Sequence, residues 1–386
     1  MPPEPATIAA SVHASLLASG GAVDDAASVA RRVRAAAPLA RAATVAAAVS
    51  AVSARCIGLG PLDPLLADGD ISEVMVNGPG HVWVERCGSL EQTEVVLDLA
   101  TIEHILERVV APLGLRLDRT SPLVDARLPD GSRVNAVVAP LAVDGPCLTI
   151  RRFGARSITL AELCAPGVAD LLTWAVRGRC NVLVSGGTGA GKTTLLNALA
   201  AQIPAGERVV TVEDAAELRL GAPHVVRLEA RPANADGVGA VTLRALVRNA
   251  LRMRPDRIVV GEARGPEALD VLQAMNTGHE GSLSTCHANS PADALRRLET
   301  MVLMGDVALP LPAVRDQIGA ALDLVVHVAR LEGGQRRVVA VAEVVEGVEG
   351  GDRVRVLADA WGLHALPARP ARALGSTPPS PAWVGS

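Results

Sequence analysis

The stretch Ser185-Gly186-Gly187-Thr188-Gly189-Ala190-Gly191-Lys192-Thr193-Thr194 follows an apolar run, Asn181 to Val184, and precedes a helix-forming one, Leu195 to Ala200. It fits the pattern G-x-x-x-x-G-K-[ST] in full, in the strand, loop, helix order that the motif requires. Glycines let backbone N–H groups curl round phosphate oxygens, and the following helix turns its positive end toward the negative charge. In that arrangement Gly186, Gly187, Thr188, Gly189, Ala190, Gly191, Lys192, Thr193 and Thr194 form a nucleotide-binding loop. Lys192 reaches the β- and γ-phosphates, and the Thr193 hydroxyl is a ligand for Mg²⁺. The chain has 37 Lys plus Arg, and Lys192 is its only lysine. Elsewhere arginine is the cation. A compact ammonium on a thin stem fits inside a phosphate-wrapping loop that a forked guanidinium would crowd.

At 386 residues the chain suggests two or three domains, each able to bury a core. Its formal charge of −4 excludes a wholly basic surface. Aromatic residues make up 1% of the chain, with no tyrosine and Phe153 as the single phenylalanine, so base-stacking platforms of the single-strand-binding kind are almost unavailable. This argues against a helicase and against direct nucleic-acid binding. Cys56, Cys87, Cys147, Cys164, Cys180 and Cys286 form no C-x-x-C pair, and their apolar contexts predict buried free thiols in a reducing compartment, with neither disulfides nor structural zinc. The beginning of the chain lacks the charged-then-apolar order of a signal sequence, and no run of about 18 apolar residues occurs. The expected location is cytoplasmic.

Residues 1–56 are Ala-rich, with Arg31, Arg32, Arg34 and Arg41 at roughly helical spacing, and predict a helical extension with a solvated charged face. From Pro61 the texture changes. Alternating runs at Ile71–Asn77 and His81–Arg86 around Asn77-Gly78-Pro79-Gly80 predict a hairpin, followed by a helix from Ala100 to Leu113 and strands near Arg133–Val138 and Cys147–Arg152. Residues 57–153 thus predict an α+β domain. From Ser157 helices alternate with apolar strands at Val182–Ser185, Arg208–Glu213, Arg257–Gly261, Gly281–Thr285 and Leu324–Val328, as a parallel, helix-covered sheet requires. Residues 157–350 therefore predict an α/β, RecA-like nucleotide-binding core, and residues 367–386, rich in Pro, Ala and Ser, a disordered tail carrying Trp383.

Three further stretches carry chemistry. Glu213 ends a predicted strand expected to neighbour the phosphate-loop strand and is the candidate for orienting or activating the attacking water, whereas Asp214 and Glu217, three residues apart, also read as a helix cap. Arg257 to Arg264 has the apolar strand of a Walker B element, but Gly261 occupies the place of the usual metal-holding Asp. Glu262 then becomes the acidic partner of Mg²⁺. Between Met275 and Ser290 lie His279 and His287, read as a polar loop that senses the γ-phosphate rather than as metal ligands, since no H-E-x-x-H or third close ligand accompanies them.

In this order the Walker A loop, the Asp box at Glu213-Asp214, the Gly261-Glu262 Walker B and the His box from Thr277 to His287 resemble the secretion and pilus-assembly ATPase superfamily. The likeness is to the CpaF-like motors of tight-adherence pili and their conjugal-transfer relatives, and it runs from about residue 57 to about residue 345. Asp125–Arg133 and Ile150–Phe153 resemble the family's N-terminal-domain segments that supply arginines to the nucleotide. The resemblance implies that Arg133 and Arg151 stabilise phosphate charge, with Arg127 and Arg152 beside them, although each also reads as ordinary surface arginine. It implies ATP and Mg²⁺ as cofactors, a hexameric ring, and work delivered to inner-membrane platform proteins in pilus assembly or protein secretion, the ATPase lying peripherally on that membrane. A DNA-transfer motor and a nucleotide-binding scaffold with little turnover are the alternatives.

Overall fold

The computed structural model describes residues 26–38, 40–56, 58–128, 130–152, 158–231, 238–345, 353–369 and 380–384, with Arg372 and scattered positions before residue 16. Phe153 and Pro129 lie outside the described residues. The chain divides into two compact units, Met1–Ala155 and Arg156–Ser386.

In the first unit, α1 (Ala26–Ala36) and α2 (Ala42–Cys56) bury Val29, Val33, Val45, Ala48 and Val52 in a small cluster that Ile8, Ala9 and Val12 share, while Arg31, Arg32, Arg34 and Arg41 are exposed. After the short α3 (Asp63–Ala67) come β1 (Ile71–Asn77), β2 (Gly80–Arg86), β3 (Ser89–Leu97), α4 (Leu99–Val110), β4 (Leu123–Arg127), β5 (Arg133–Val137) and β6 (Cys147–Arg151). The six strands form one antiparallel sheet in the order β3-β2-β1-β6-β5-β4. Asp98 caps α4 by accepting the Thr101 N–H at 2.8 Å, and the helix lays Ile102, Ile105, Leu106, Val109 and Val110 into the core built on that sheet. Strands β3 and β4 were not anticipated from sequence. Leu90 and Val96 on β3 and Leu123 on β4 are exposed, as suits edge strands and as hides the usual apolar alternation.

The second unit carries α5 (Leu160–Leu163), α6 (Val168–Arg177), β7 (Val182–Gly186), α7 (Lys192–Ala200), β8 (Val209–Glu213), β9 (Val225–Glu229), α8 (Leu243–Ala250), β10 (Arg257–Val260), α9 (Glu267–Asn276), β11 (Leu283–His287), α10 (Pro291–Leu303), α11 (Leu311–Ala321), β12 (Leu324–Arg330), β13 (Arg336–Val344) and β14 (Val354–Asp359). Its sheet runs β14-β13-β12-β7-β11-β10-β8-β9. The strands from β12 to β9 are parallel, and β13 and β14 add an antiparallel edge. Successive residues of β7 belong to different cores: Val182 and Val184 join the cluster under α6 and α7, and Leu183 joins the one under α8 to α11. Both faces are therefore covered, which explains why the parallel strands read as unbroken apolar runs. The sheet extends past residue 350, because β14 pairs with β13 as far as Asp359.

The sequence predicts disorder from residue 367, yet Arg369 and Arg372 are engaged with the second unit. Asp323 and Glu343 are buried carboxylates and need partners. Arg372 forks onto Asp323 at 2.7 and 2.9 Å, and the Arg369 N–H donates to Glu343 at 2.7 Å. Trp383 packs against the α6 and α7 cluster. The cysteine expectation holds for Cys164, Cys180 and Cys286, which are buried. It fails for Cys87, which is exposed in the two-residue turn joining β2 to β3, where its φ of 47° and the 85° of Gly88 make the left-handed pair that such a turn needs.

Candidate active site

Four strand ends share the edge at the phosphate loop: β7 enters it, β11 beside it ends on His287, β10 leads into Gly261 and Glu262, and β8, expected beside β7 but separated from it by β11 and β10, ends on Glu213. These strands are parallel, so their carboxyl ends share one edge, where open α/β sheets bind ligands.

Lys192 opens α7 and is buried. Its Nζ donates to the carbonyls of Gly186 at 3.2 Å and Gly187 at 3.1 Å, lies 3.6 Å from Glu262 Oε1 and 3.3 Å from the His287 ring. Burial lowers its pKa, against the opposing pull of Glu262. His287 bridges the loop to the Walker B segment, with Nδ1 at 3.0 Å from Glu262 Oε1 and Nε2 at 2.9 Å from Thr188 Oγ1. Burial works to raise the Glu262 carboxyl, but the Arg264 guanidinium forked onto it, then Lys192 and His287, outweigh burial and hold it below the usual carboxylate range. Arg264 is a site residue that sequence reasoning passed over. Its spacing in Gly261-Glu262-Ala263-Arg264 was visible, but nothing in the spacing revealed that the side chain folds back onto Glu262.

Glu213 is 3% exposed, and its Oε2 accepts the N–H groups of Glu217 at 2.7 Å and Leu218 at 2.9 Å. No helix follows, so the capping role expected of Asp214 and Glu217 is not what this segment does: the Glu213 carboxylate holds the turn itself. Among the described residues its Oε1 has no hydrogen-bond partner. Burial raises the Glu213 carboxyl, with the two N–H groups and Arg227 pulling the other way. A raised, half-satisfied carboxyl one strand beyond the Walker B segment is suited to accept a proton from water. The structure also gives a reason for Gly261. A Cβ there would come within 2.9 Å of Glu213 Cγ, so the volume of the usual Walker B Asp is filled by the neighbouring strand's glutamate.

The two histidines part company. His287 is at the carboxyl edge, but His279 precedes β11 and holds the opposite edge, where its carbonyl accepts from Ser282 Oγ at 2.7 Å. The five-residue strand between them, at about 3.3 Å per residue, rules out a shared phosphate. The sensing role therefore does not extend to His279. In the first unit Arg127, Arg133 and Arg151 are direct cross-strand neighbours along β4, β5 and β6, with Glu73 of β1 next in the row. Arg133 and Arg151 are exposed on the face away from Val134 and Ile150, which enter the core. Arg152 does not join them. It points the other way and donates to the carbonyls of Asp68 and Ile71, a structural clamp.

The donor set fits Mg²⁺. The Thr193 hydroxyl and the Glu262 carboxylate are hard oxygen ligands, and Mg²⁺ typically takes one or two carboxylates together with substrate phosphates and waters. The nearby thiol of Cys286 is pushed up to about 12 by burial and stays protonated, so it offers no soft ligand.

A model of the type II/IV secretion system protein family matches residues 57–348. The chain belongs to this family. The secretion ATPase is 43% identical over 305 residues to Rv3659c of Mycobacterium tuberculosis, a relative named for conjugal transfer, covering 76% of this chain and 86% of that one. It is 39% identical over 311 residues to the type IV secretion system protein PtlH of Bordetella pertussis, covering 72% and 91%. The Yersinia pseudotuberculosis ATPase DotB shares the fold with a TM-score of 0.57 at 18% identity, over 74% of this chain and 79% of that one. Family membership and the complete phosphate loop make this chain an ATPase with a RecA-like core. Among the described residues no helix is long and apolar enough to cross a membrane.

Proposed function

We propose that this secretion ATPase hydrolyses ATP with Mg²⁺ to drive pilus assembly or protein secretion across a bacterial envelope. It would work as a hexameric ring in the cytoplasm, held peripherally at the inner membrane by platform proteins. The observation that carries this reading is the meeting of Lys192, Glu262, His287 and Thr188 over the phosphate loop, with Glu213 one strand further on. Such a set positions and neutralises rather than forming covalent intermediates, which is what phosphoryl transfer to water asks of a protein.

In this reading Lys192 takes the β- and γ-phosphates, and Thr193 and Glu262 hold Mg²⁺. The bound ion offsets charge on the phosphate oxygens. Glu213 accepts the proton of the attacking water at Oε1. His287 reports the γ-phosphate, because a phosphate at Thr188 and Lys192 competes for the groups that His287 now touches. Arg133 and Arg151, in the row with Arg127, are assigned to stabilising phosphate charge, and residues 1–56 form an extension of the domain spanning residues 57–153. Relatives with conjugal-transfer names keep a DNA-transfer motor as the second reading.

The test compares ATP turnover in the presence of duplex or single-stranded DNA with turnover in the presence of anionic vesicles carrying platform-protein extract. Stimulation by the vesicles alone is expected. Stimulation by DNA alone would replace the proposal with the second reading, and a basal rate unaffected by either would remove the motor role.

A further inference from the structure

We infer that Arg336 forms the nucleobase subsite of the ATP site, its guanidinium stacking on the purine ring, an inference that rests on the phosphate-loop reading above. The β12–β13 hairpin leans on the loop. A Cβ added to Gly191 would meet Arg336 Cδ at 2.8 Å, with Cγ and Cβ of the same side chain at 3.4 and 3.5 Å. Gly191, whose φ is 99°, is thus needed twice over, once for the left-handed turn into α7 and once because the arginine stem occupies the space above it. The stem being fixed there, the guanidinium it carries belongs to the rim of the phosphate loop.

Topology decides which end of the nucleotide it serves. β7 lies in mid-sheet, and the strands to one side of it, β11, β10 and β8, carry His287, Glu262 and Glu213. The γ-phosphate and the attacked bond must face those groups. Strands β12 and β13 lie on the other side, at about 4.8 Å per strand, so Arg336 faces the end of the nucleotide that carries ribose and base.

The chain has no tyrosine and a single phenylalanine, and the exposed Trp361 follows β14, one strand further from the phosphate loop than β13. A guanidinium is planar and stacks on π-faces, which an ammonium cannot do, and it tolerates any purine because every purine has such a face.

The experiment is calorimetric titration of the full chain with ATP and, separately, with tripolyphosphate, which carries the phosphates without the nucleoside. Wild type is expected to bind ATP more tightly than tripolyphosphate. Arg336→Met keeps an apolar stem over Gly191 and removes the plane. It should weaken ATP about tenfold, in the range of one stacked base, and leave tripolyphosphate unchanged. Arg336→Lys should behave like Arg336→Met. Equal loss of both ligands in Arg336→Met would make Arg336 a phosphate ligand and overturn the inference, as would recovery by Arg336→Lys or no change at all. Should Arg336→Met fail to fold, wild type alone decides, because ATP binding no tighter than tripolyphosphate leaves no base subsite to assign. Loss of both ligands in Lys192→Ala is expected in every case. Its absence would bring down the phosphate-loop reading and not this one.

Discussion

Replacing Gly261 with alanine adds one methyl group at the Walker B position and should slow hydrolysis. The new Cβ would lie 2.9 Å from Glu213 Cγ, 3.5 Å from its Cβ and 3.6 Å from its Oε2. Ordinary carbon contacts lie at about 3.5–4.0 Å, so the glutamate must retreat by roughly 0.5–1 Å. It cannot do so freely, because Oε2 is tied to the N–H groups of Glu217 and Leu218. A displacement of about 1 Å in a catalytic group can cost on the order of a hundredfold, so kcat should fall by about ten- to a hundredfold while ATP binding holds. Overpacking of this kind costs about 1–3 kcal/mol. Gly261 has an ordinary negative or extended φ, so alanine also gains about 0.4–1 kcal/mol by restricting the unfolded chain. The net expectation is a loss of about 1–2 kcal/mol in chemical denaturation. A variant that is more stable than wild type and turns over normally would show that Glu213 yields at no cost, and would refute the argument that Gly261 exists to seat it.

Other outcomes follow from the placement of charges and thiols in the structure. Because burial raises the Glu213 carboxyl, turnover should climb with pH through a limb above the ordinary glutamate value of about 4.3, and Glu213→Gln should erase that limb while Glu262→Gln, on a lowered carboxyl, should instead raise the Mg²⁺ concentration that turnover requires. The sign for stability runs against activity: a raised folded pKa contributes stability below the ordinary value and loses it as pH rises through the folded one, so Glu213→Gln should melt higher than wild type at neutral pH. Arg133→Ala and Arg151→Ala should keep their melting midpoints and lose turnover, whereas Arg152→Ala should lower the midpoint, since it abandons the carbonyls of Asp68 and Ile71. Equal effects in all three would undo the distinction between row and clamp. Iodoacetamide should label Cys87 readily and leave Cys164, Cys180 and Cys286 untouched in the native protein, because burial pushes those thiols up to about 12, and mass spectrometry reads the difference.

The phosphate loop was legible because everything it needs is local: an apolar strand, glycines and a helix start within one stretch of chain. Glu213, Glu262 and His287 could be placed near it because each ends or follows a parallel strand, and parallel strands share a carboxyl edge. What sequence hid depends on register and packing. Arg127, Arg133 and Arg151 align only through the pairing of three strands, while Arg151 and Arg152, adjacent in the chain, had to face opposite sides of the sheet by the two-residue period of β structure. That period was available in the sequence and was the signal that could have separated them. His279 was grouped with His287 because the two lie close in the chain, although the strand between them carries them to opposite edges. The reason for Gly261, and the folding back of Arg264, lie in contacts between strands that no one-dimensional pattern records. Strands β13 and β14 lie past the alternation of helix and parallel strand that marks the core, because they form an antiparallel edge beyond β12.

Phosphate release from ATP by the full chain, measured for wild type beside Lys192→Ala, bears most directly on the site. The ammonium of Lys192 is the single lysine charge in the chain and is set among Gly186, Gly187, Glu262 and His287. Wild type should hydrolyse ATP, and Lys192→Ala should lose both turnover and most ATP affinity while keeping its fold by circular dichroism. Turnover near wild type in the folded variant would contradict the assignment of this loop as the site of hydrolysis.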